Sequence, residues 1–130
     1  MKTIIILSLS LLLTLSFNST ANERPIVSQA QLVSMQQATS NSGFLLLDVR
    51  SSEEYAQGHI KGAVNISHKD IADKLATIAD YKDKEVIVYC RSGRRAGLAE
   101  EILAANGFNK VKHLSGDMNA WYQADLPVEK

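Results

Sequence analysis

Short apolar runs separated by segments with helical spacing constrain the fold of this chain most strongly. Phe44–Leu47 and Val86–Tyr89 are apolar or aromatic at every position, as in strands that are buried on both faces. Ala63–Ile66 and Val111–Leu114 are the other predicted strands. Helical patterns lie between them, so the sequence predicts an α/β domain with a mostly parallel central sheet and helices on both faces.

Capping signatures and helical spacing mark the predicted helices. They run from a Ser28–Gln31 capping box to about Thr39, from a cap at Ser52 through Gln57, from a Ser67–Asp70 capping pair through Ile71, Leu75 and Ile78, from Ala96 to a stop at Asn106-Gly107, and from Asp117 to Gln123. Polar turns are predicted at 40–43 and 80–84.

The first 21 residues have the pattern of an export signal. Lys2 precedes an apolar stretch that reaches Leu15, and residues 19–21 are small, as a signal peptidase requires. The stretch is too short for a comfortable membrane span. We expect a signal peptide at 1–21 that is cleaved to leave one domain at 22–130, with an uncleaved anchor as the alternative. The protein is then exported, and periplasmic if its source is a Gram-negative bacterium.

Composition excludes several kinds of function. The chain has 14 basic and 14 acidic residues, so it offers no sign of a nucleic-acid surface. No spacing of His, Cys, Asp or Glu supports a metal site, and we expect no cofactor. The single cysteine has no disulfide partner in the chain. In an exported domain, a lone thiol surrounded by arginines indicates reactivity in preference to inert burial.

Cys90 stands where a predicted strand ends and a helix begins. The segment Cys90-Arg91-Ser92-Gly93-Arg94-Arg95 contains three arginines and no acidic residue. At such a junction, successive backbone N–H groups and the positive end of the helix converge. A thiol held there should ionise more readily than a free cysteine and should attract anions.

Several motifs in order resemble those of single-domain rhodaneses, across essentially all of residues 22–130. They are Leu47-Asp48-Val49-Arg50, Glu54-Tyr55, Gly58-His59-Ile60, Gly62 to Ile66, Tyr89 to Ala96, and Leu114-Ser115-Gly116 with Trp121. Within the family, the export signal and small size look most like the periplasmic phage-shock type.

This resemblance implies a thiosulfate sulfurtransferase in which Cys90 carries the transferred sulfur as a persulfide. The acceptor would be cyanide in an assay, a thiol, or a partner protein, and a monomer is expected. The implied substrate-binding residues are Arg91, Ser92, Gly93, Arg94, Arg95 and Ala96, whose backbone N–H groups would surround the outer sulfur. Arg91 and Arg94 are candidates for holding the sulfonate end of thiosulfate.

Charged residues outside the loop are expected to support it. Arg95 either touches substrate or pairs with Asp48 or Glu54 to hold the loop. Asp48 and Arg50 are interpreted as a structural ion pair beneath the loop. His68 and His113 have no partner that the sequence identifies.

Two other functions remain open at this point. Phosphatases and arsenate reductases of related fold place an arginine six positions after the cysteine, to fork around an oxyanion. Here that position is Ala96, and Arg95 comes one residue early, which favours sulfur transfer. A non-enzymatic persulfide carrier that serves one partner protein would need the same site as an enzyme, so the sequence does not separate the two.

Overall fold

Five parallel strands form the centre of the domain in a computed structural model that describes residues 24–38 and 43–130. In chain order they are β1 Ile26–Val27, β2 Phe44–Asp48, β3 Val64–Asn65, β4 Glu85–Tyr89 and β5 Val111–Leu114. Their order across the sheet is β1-β5-β4-β2-β3, and every neighbouring pair is parallel. The carboxyl ends of all strands therefore meet at one edge. The predicted signal peptide, the domain start at 22 and residues 39–42 lie outside the described residues.

Helices cover both faces of this sheet. They are α1 Gln29–Gln37, α2 Ser52–Gln57, α3 Ile71–Lys74 continued by a 3-10 helix over Leu75–Tyr81, α4 Arg94–Ala105, and α5 Asp117–Gln123. Ala99 and Leu103 of α4 pack with Val86 and Val88 on one face. Leu32 of α1 and Trp121 of α5 pack with Leu46 and Ile87 on the other. The predicted fold class is confirmed.

The edge strand β1 is absent from the sequence prediction. It has only Ile26 and Val27, which pair with His113 and Leu114 of β5. Ile26 is 65% exposed, so the segment has no buried run to reveal it. The other edge strand, β3, is shorter than predicted and comprises Val64 and Asn65.

Two predicted helix starts are corrected. Ser51, not Ser52, caps α2, and its side chain accepts the N–H of Glu54 in a capping box. The predicted capping pair before α3 is also wrong, because Asp70 makes no side-chain hydrogen bond there. That helix lasts one turn and tightens into the 3-10 form at Leu75. Within residues 24–38 and 43–130, no helix is long and apolar enough to cross a membrane.

Candidate active site around Cys90

Cys90 directly follows β4 at the carboxyl edge of the sheet, where ligand sites of parallel sheets lie. Its residue surface is 1% exposed. The N–H of Gly93 donates a hydrogen bond to Sγ over 3.0 Å. The sulfur is therefore buried but in contact with a backbone donor.

The turn after Cys90 is shorter than predicted. Helix α4 begins at Arg94 rather than Ala96, with Gly93 as its N-cap residue at φ 113°. Only glycine adopts this angle at little cost. The first bond of the helix joins the N–H of Gly97 to the carbonyl of Gly93 over 3.0 Å. The preceding N–H groups, those of residues 94–96, have no carbonyl partner within the helix and face the end where Cys90 lies.

The three arginines after Cys90 have different surroundings. Arg91 and Arg94 are exposed and form no salt bridge with any residue in the described parts of the chain. Arg95 instead donates two hydrogen bonds to Glu54, of 2.6 and 3.0 Å. This contact lowers the pKa of Glu54 to about 2 and raises the pKa of Arg95, to which the neighbouring Cys90 also contributes. The structure thus pairs Arg95 with Glu54, not with Asp48.

Asp48 and Arg50 form a separate, buried ion pair at the end of β2. Their closest atoms, Oδ2 and Nη2, are 2.7 Å apart. Arg50 also donates to the carbonyl of Gly58 over 2.8 Å. Burial lowers the pKa of Arg50, but its hydrogen bond to Asp48 and the charge of that carboxylate outweigh burial and raise it overall. The pair ties β2 to the end of α2 and does not face solvent.

Three residues that the sequence did not connect lie beneath the cysteine turn. Asp117 accepts the N–H of Cys90 at Oδ1 over 2.9 Å and contacts His113 Nε2 at Oδ2 over 3.0 Å. His113 Nδ1 lies 2.8 Å from Oε2 of Glu100. Hydrogen bonds to Asp117 and then Glu100 raise the pKa of His113 to about 10. The ring is therefore an imidazolium at neutral pH, and it donates to both carboxylates.

The start of α5 holds the carbonyl groups of the same turn. The N–H of Met118 donates to the carbonyl of Cys90 over 3.0 Å, and the N–H of Asn119 to that of Arg91 over 3.1 Å. Together with the bond from the Cys90 N–H to Asp117, these contacts hold the peptide groups on both sides of Cys90 against α5. The only sequence signal for this contact was the acidic residue after Gly116, at the start of a predicted helix.

His68 lies beside the cationic side of the site. Burial lowers its pKa, and the charges of Arg95, Lys69 and Arg94 lower it further. Its Nδ1 is buried with no hydrogen-bond partner among the described residues. The ring is therefore neutral near pH 7, and the local positive charge comes from the lysine and arginines.

The arrangement suits covalent chemistry on an anionic sulfur compound. A buried sulfur contacts a backbone N–H, the free amides of a helix start lie nearby, and exposed guanidinium groups border it. Among residues 24–38 and 43–130, no group of three or more His, Cys, Asp or Glu side chains could hold a metal ion.

Comparison with known proteins finds one matching family model and similar proteins that are named sulfurtransferases. The family model described as Rhodanese-like domain matches residues 28–124. The chain is 41% identical over 70 residues to the thiosulfate sulfurtransferase PspE of Escherichia coli (strain K12), covering 54% of this chain and 67% of that protein. It is 34% identical over 93 residues to a sulfurtransferase of Allochromatium vinosum, covering 72% and 85%.

A solved structure shares this fold. The structure described as rhodanese with anions from E. coli superposes with a TM-score of 0.57 at 36% identity. The superposition covers 67% of this chain and 98% of that one.

Proposed function

This chain belongs to the rhodanese-like domain family, as its motifs predicted, and from that premise we propose that it is a thiosulfate sulfurtransferase. Relatives named sulfurtransferases support sulfur transfer as the broad activity. The choice of thiosulfate as donor is the finer step. It is supported by the anion-attracting site and by the name of the E. coli relative PspE.

The proposed reaction is a double displacement on Cys90. The thiolate Sγ attacks the outer sulfur of thiosulfate, the bond between the two thiosulfate sulfurs breaks, and its electron pair leaves with sulfite. Cys90 then carries a negatively charged persulfide. A thiophilic acceptor attacks the outer sulfur, the bond from that sulfur to Sγ breaks, and the thiolate is restored. With cyanide the product is thiocyanate, and with a thiol it is a new persulfide.

The hydrogen bond from the Gly93 N–H to Sγ carries this proposal. It stabilises a negative sulfur before the attack. The outer sulfur of the persulfide extends one bond further and can receive the N–H groups of residues 94–96, which are free within α4. These N–H groups would stabilise the negative charge of the persulfide.

Arg91 and Arg94 are proposed to hold the sulfonate oxygens of thiosulfate. Both are exposed beside the turn and have no salt-bridge partner in the described parts of the chain, so their charge is available to an incoming anion. Arg95 is proposed to anchor the loop through Glu54, and Asp48 with Arg50 to support β2 below it.

The geometry disfavours the alternative function of a phosphatase or arsenate reductase. Ala96, at the position where phosphatases carry their arginine, is fully buried within α4. The fork of Arg95 is already occupied by Glu54. A bound phosphate would therefore lack the bidentate guanidinium on which such enzymes depend.

Intact-protein mass after treatment with thiosulfate tests the proposal. We expect one added sulfur atom on the wild type, removal of that sulfur by cyanide, and steady turnover of both reagents. Cys90→Ser should gain no sulfur and show no turnover while unfolding like the wild type. Turnover retained in Cys90→Ser contradicts the mechanism. A stable persulfide that cyanide does not remove, but that a protein thiol does, identifies a carrier instead of an enzyme.

We further propose that the domain is exported. The support is the signal pattern at 1–21, which precedes the described residues. Mass measurement of the protein recovered from the cell envelope fraction should give a chain that starts near Asn22. A full-length mass there indicates the uncleaved anchor.

A further inference from the structure

Glu100, His113 and Asp117 form a charged cluster that joins three elements under the cysteine turn. They lie on α4, β5 and α5, and the two carboxylates contact the ring nitrogens of His113 over 2.8 and 3.0 Å. Glu100 and Asp117 are each 3% exposed. Asp117 of this cluster accepts the N–H of Cys90, although none of the three side chains forms a hydrogen bond with Sγ.

Asp117 occupies a backbone conformation that aspartate adopts at a cost. Its φ is 55°, in the left-handed region that glycine enters freely. The same position could be filled by glycine without strain. The aspartate side chain is used instead, because Oδ1 accepts the N–H of Cys90 and Oδ2 contacts His113.

We propose that Asp117, oriented by His113 and Glu100, is a positioning residue for sulfur transfer that fixes the peptide at Cys90 and so the direction of Sγ. The inference rests on the proposed function for its reaction, but on contacts alone for its geometry. Asp117 holds the peptide before Cys90, and the N–H of Met118 holds the peptide after it. The bond from Cα to Cβ is thereby set from both sides.

The same cluster supports the other end of the turn. A Cβ atom added at Gly93 would lie 3.2 Å from Oδ2 of Asp117 and 3.8 Å from Nε2 of His113. Gly93 is the residue whose N–H binds Sγ. The carboxylate that holds the Cys90 N–H therefore lies beside the residue that donates to Sγ, with no room between them for a larger side chain at 93 unless Asp117 or His113 shifts.

The charge of the cluster fits a positioning role. The raised pKa of His113 keeps the ring protonated at neutral pH, so one positive charge offsets two buried carboxylates. The ring donates from both nitrogens and leaves Asp117 one accepting oxygen for Cys90. A neutral ring would donate from only one nitrogen, and one carboxylate would lose its partner.

Three variants separate positioning from a general effect on folding. Asp117→Gly removes the carboxylate and also relieves the backbone strain. Asp117→Asn keeps an oxygen for the Cys90 N–H and tolerates the left-handed conformation. Its amide N–H can donate to Nε2 of a His113 ring that is then neutral and protonated at Nδ1, toward Glu100. Asp125→Gly is the matched control, because Asp125 is an exposed residue at φ 53° whose side chain makes no hydrogen bond in the described parts of the chain.

We expect Asp117→Gly to lower kcat with thiosulfate and cyanide by about tenfold to a hundredfold, as a misplaced reacting atom does, with KM little changed. Alkylation of Cys90 by iodoacetamide at high pH should become several-fold faster, since a loosened turn exposes the sulfur. Asp117→Asn should restore most of both values, and Asp125→Gly should match the wild type. Equal behaviour of Asp117→Gly and Asp125→Gly overturns the proposal, as does a folded Asp117→Asn that is as impaired as Asp117→Gly.

Hydrogen exchange on the wild type keeps the test decisive if Asp117→Gly does not fold. The Cys90 amide should be protected, and exchange as fast as that of an exposed loop amide overturns the proposal. Alkylation and exchange do not require sulfur transfer. If the wild type fails to turn over thiosulfate while these two readouts behave as expected, the proposed function fails and the positioning role stands.

Discussion

The arginines that follow Cys90 carry the same charge but have different tasks in the site. Arg95 is held by Glu54, and the pair lowers the pKa of that carboxylate to about 2. Arg91 and Arg94 extend into solvent. A free guanidinium can follow an incoming anion, whereas a paired one cannot without breaking its existing contact. The proposed donor therefore meets Arg91 and Arg94 first.

At this scale we predict that Arg91→Ala impairs thiosulfate use without harming the fold. KM should rise about tenfold or more, because a hydrogen bond to a charged group contributes about 1.5 kcal/mol or more. Steady-state kinetics and urea unfolding measure the two effects. Lys110→Ala is the control, because it removes the same charge at a distant place. Lys110 is exposed just before β5, at the opposite edge of the sheet. Identical kinetics for both variants would show that Arg91 does not bind the donor.

Sequence reasoning reached Cys90 because one residue carried the whole signal. A lone cysteine between an apolar run and a helix, with arginines beside it, needed no distant partner to be recognised. His113 carried no such signal. Its partners lie 13 residues before it and 4 after it, on other elements, and only the packed sheet and helices bring them together.

At the scale of elements, the start of α4 determines how the thiol is presented. Helix α5 and strand β5 have the predicted bounds, because the apolar positions that mark them are close together in the sequence. The start of α4 differs by two residues from its prediction. The left-handed Gly93 lets the helix begin immediately after the turn, so Arg94 and Arg95 belong to its first turn rather than to a loop.

We predict that Gly93→Ala is harmful and Gly97→Ala is not. Alanine at 93 must adopt φ 113° with its Cβ against Asp117, which should cost about 1 kcal/mol or more and lower kcat at least tenfold. Gly97 lies inside α4 with no atom within 4 Å of an added Cβ. Alanine there should stabilise the domain by about 0.5–1 kcal/mol. Urea unfolding and kinetics on both variants measure this, and a harmless Gly93→Ala would contradict the assigned turn.

At the scale of the whole molecule, the parallel sheet brings distant parts of the chain to one edge. Cys90 follows β4, Asp48 ends β2, and Ser115 follows β5. The sequence predicted the mostly parallel sheet that produces this convergence, because alternating strands and helices leave few other arrangements. It did not predict β1, a pair of residues whose strand conformation depends on β5 being present.

We predict that stability falls as pH rises from about 7 to 10. The folded state raises the pKa of His113 from 6.5 to about 10, so it binds a proton that the unfolded chain releases above 6.5. The stabilisation is complete below 6.5 and is lost through about 10, at up to about 1.4 kcal/mol per pH unit. Urea unfolding in Cys90→Ser, where the thiol does not titrate, measures the slope. Replacing His113 by Asn should flatten it, and a flat profile with His113 present contradicts the ion cluster.

The cysteine and the carboxylate that holds its N–H are 27 residues apart in the chain. During synthesis, Cys90 is therefore made well before the aspartate that holds its N–H. Until α5 docks, neither the N–H nor the carbonyl of Cys90 has the partner that holds it in the folded domain. The proposed orientation of Sγ is therefore complete only once the last helix packs against the sheet.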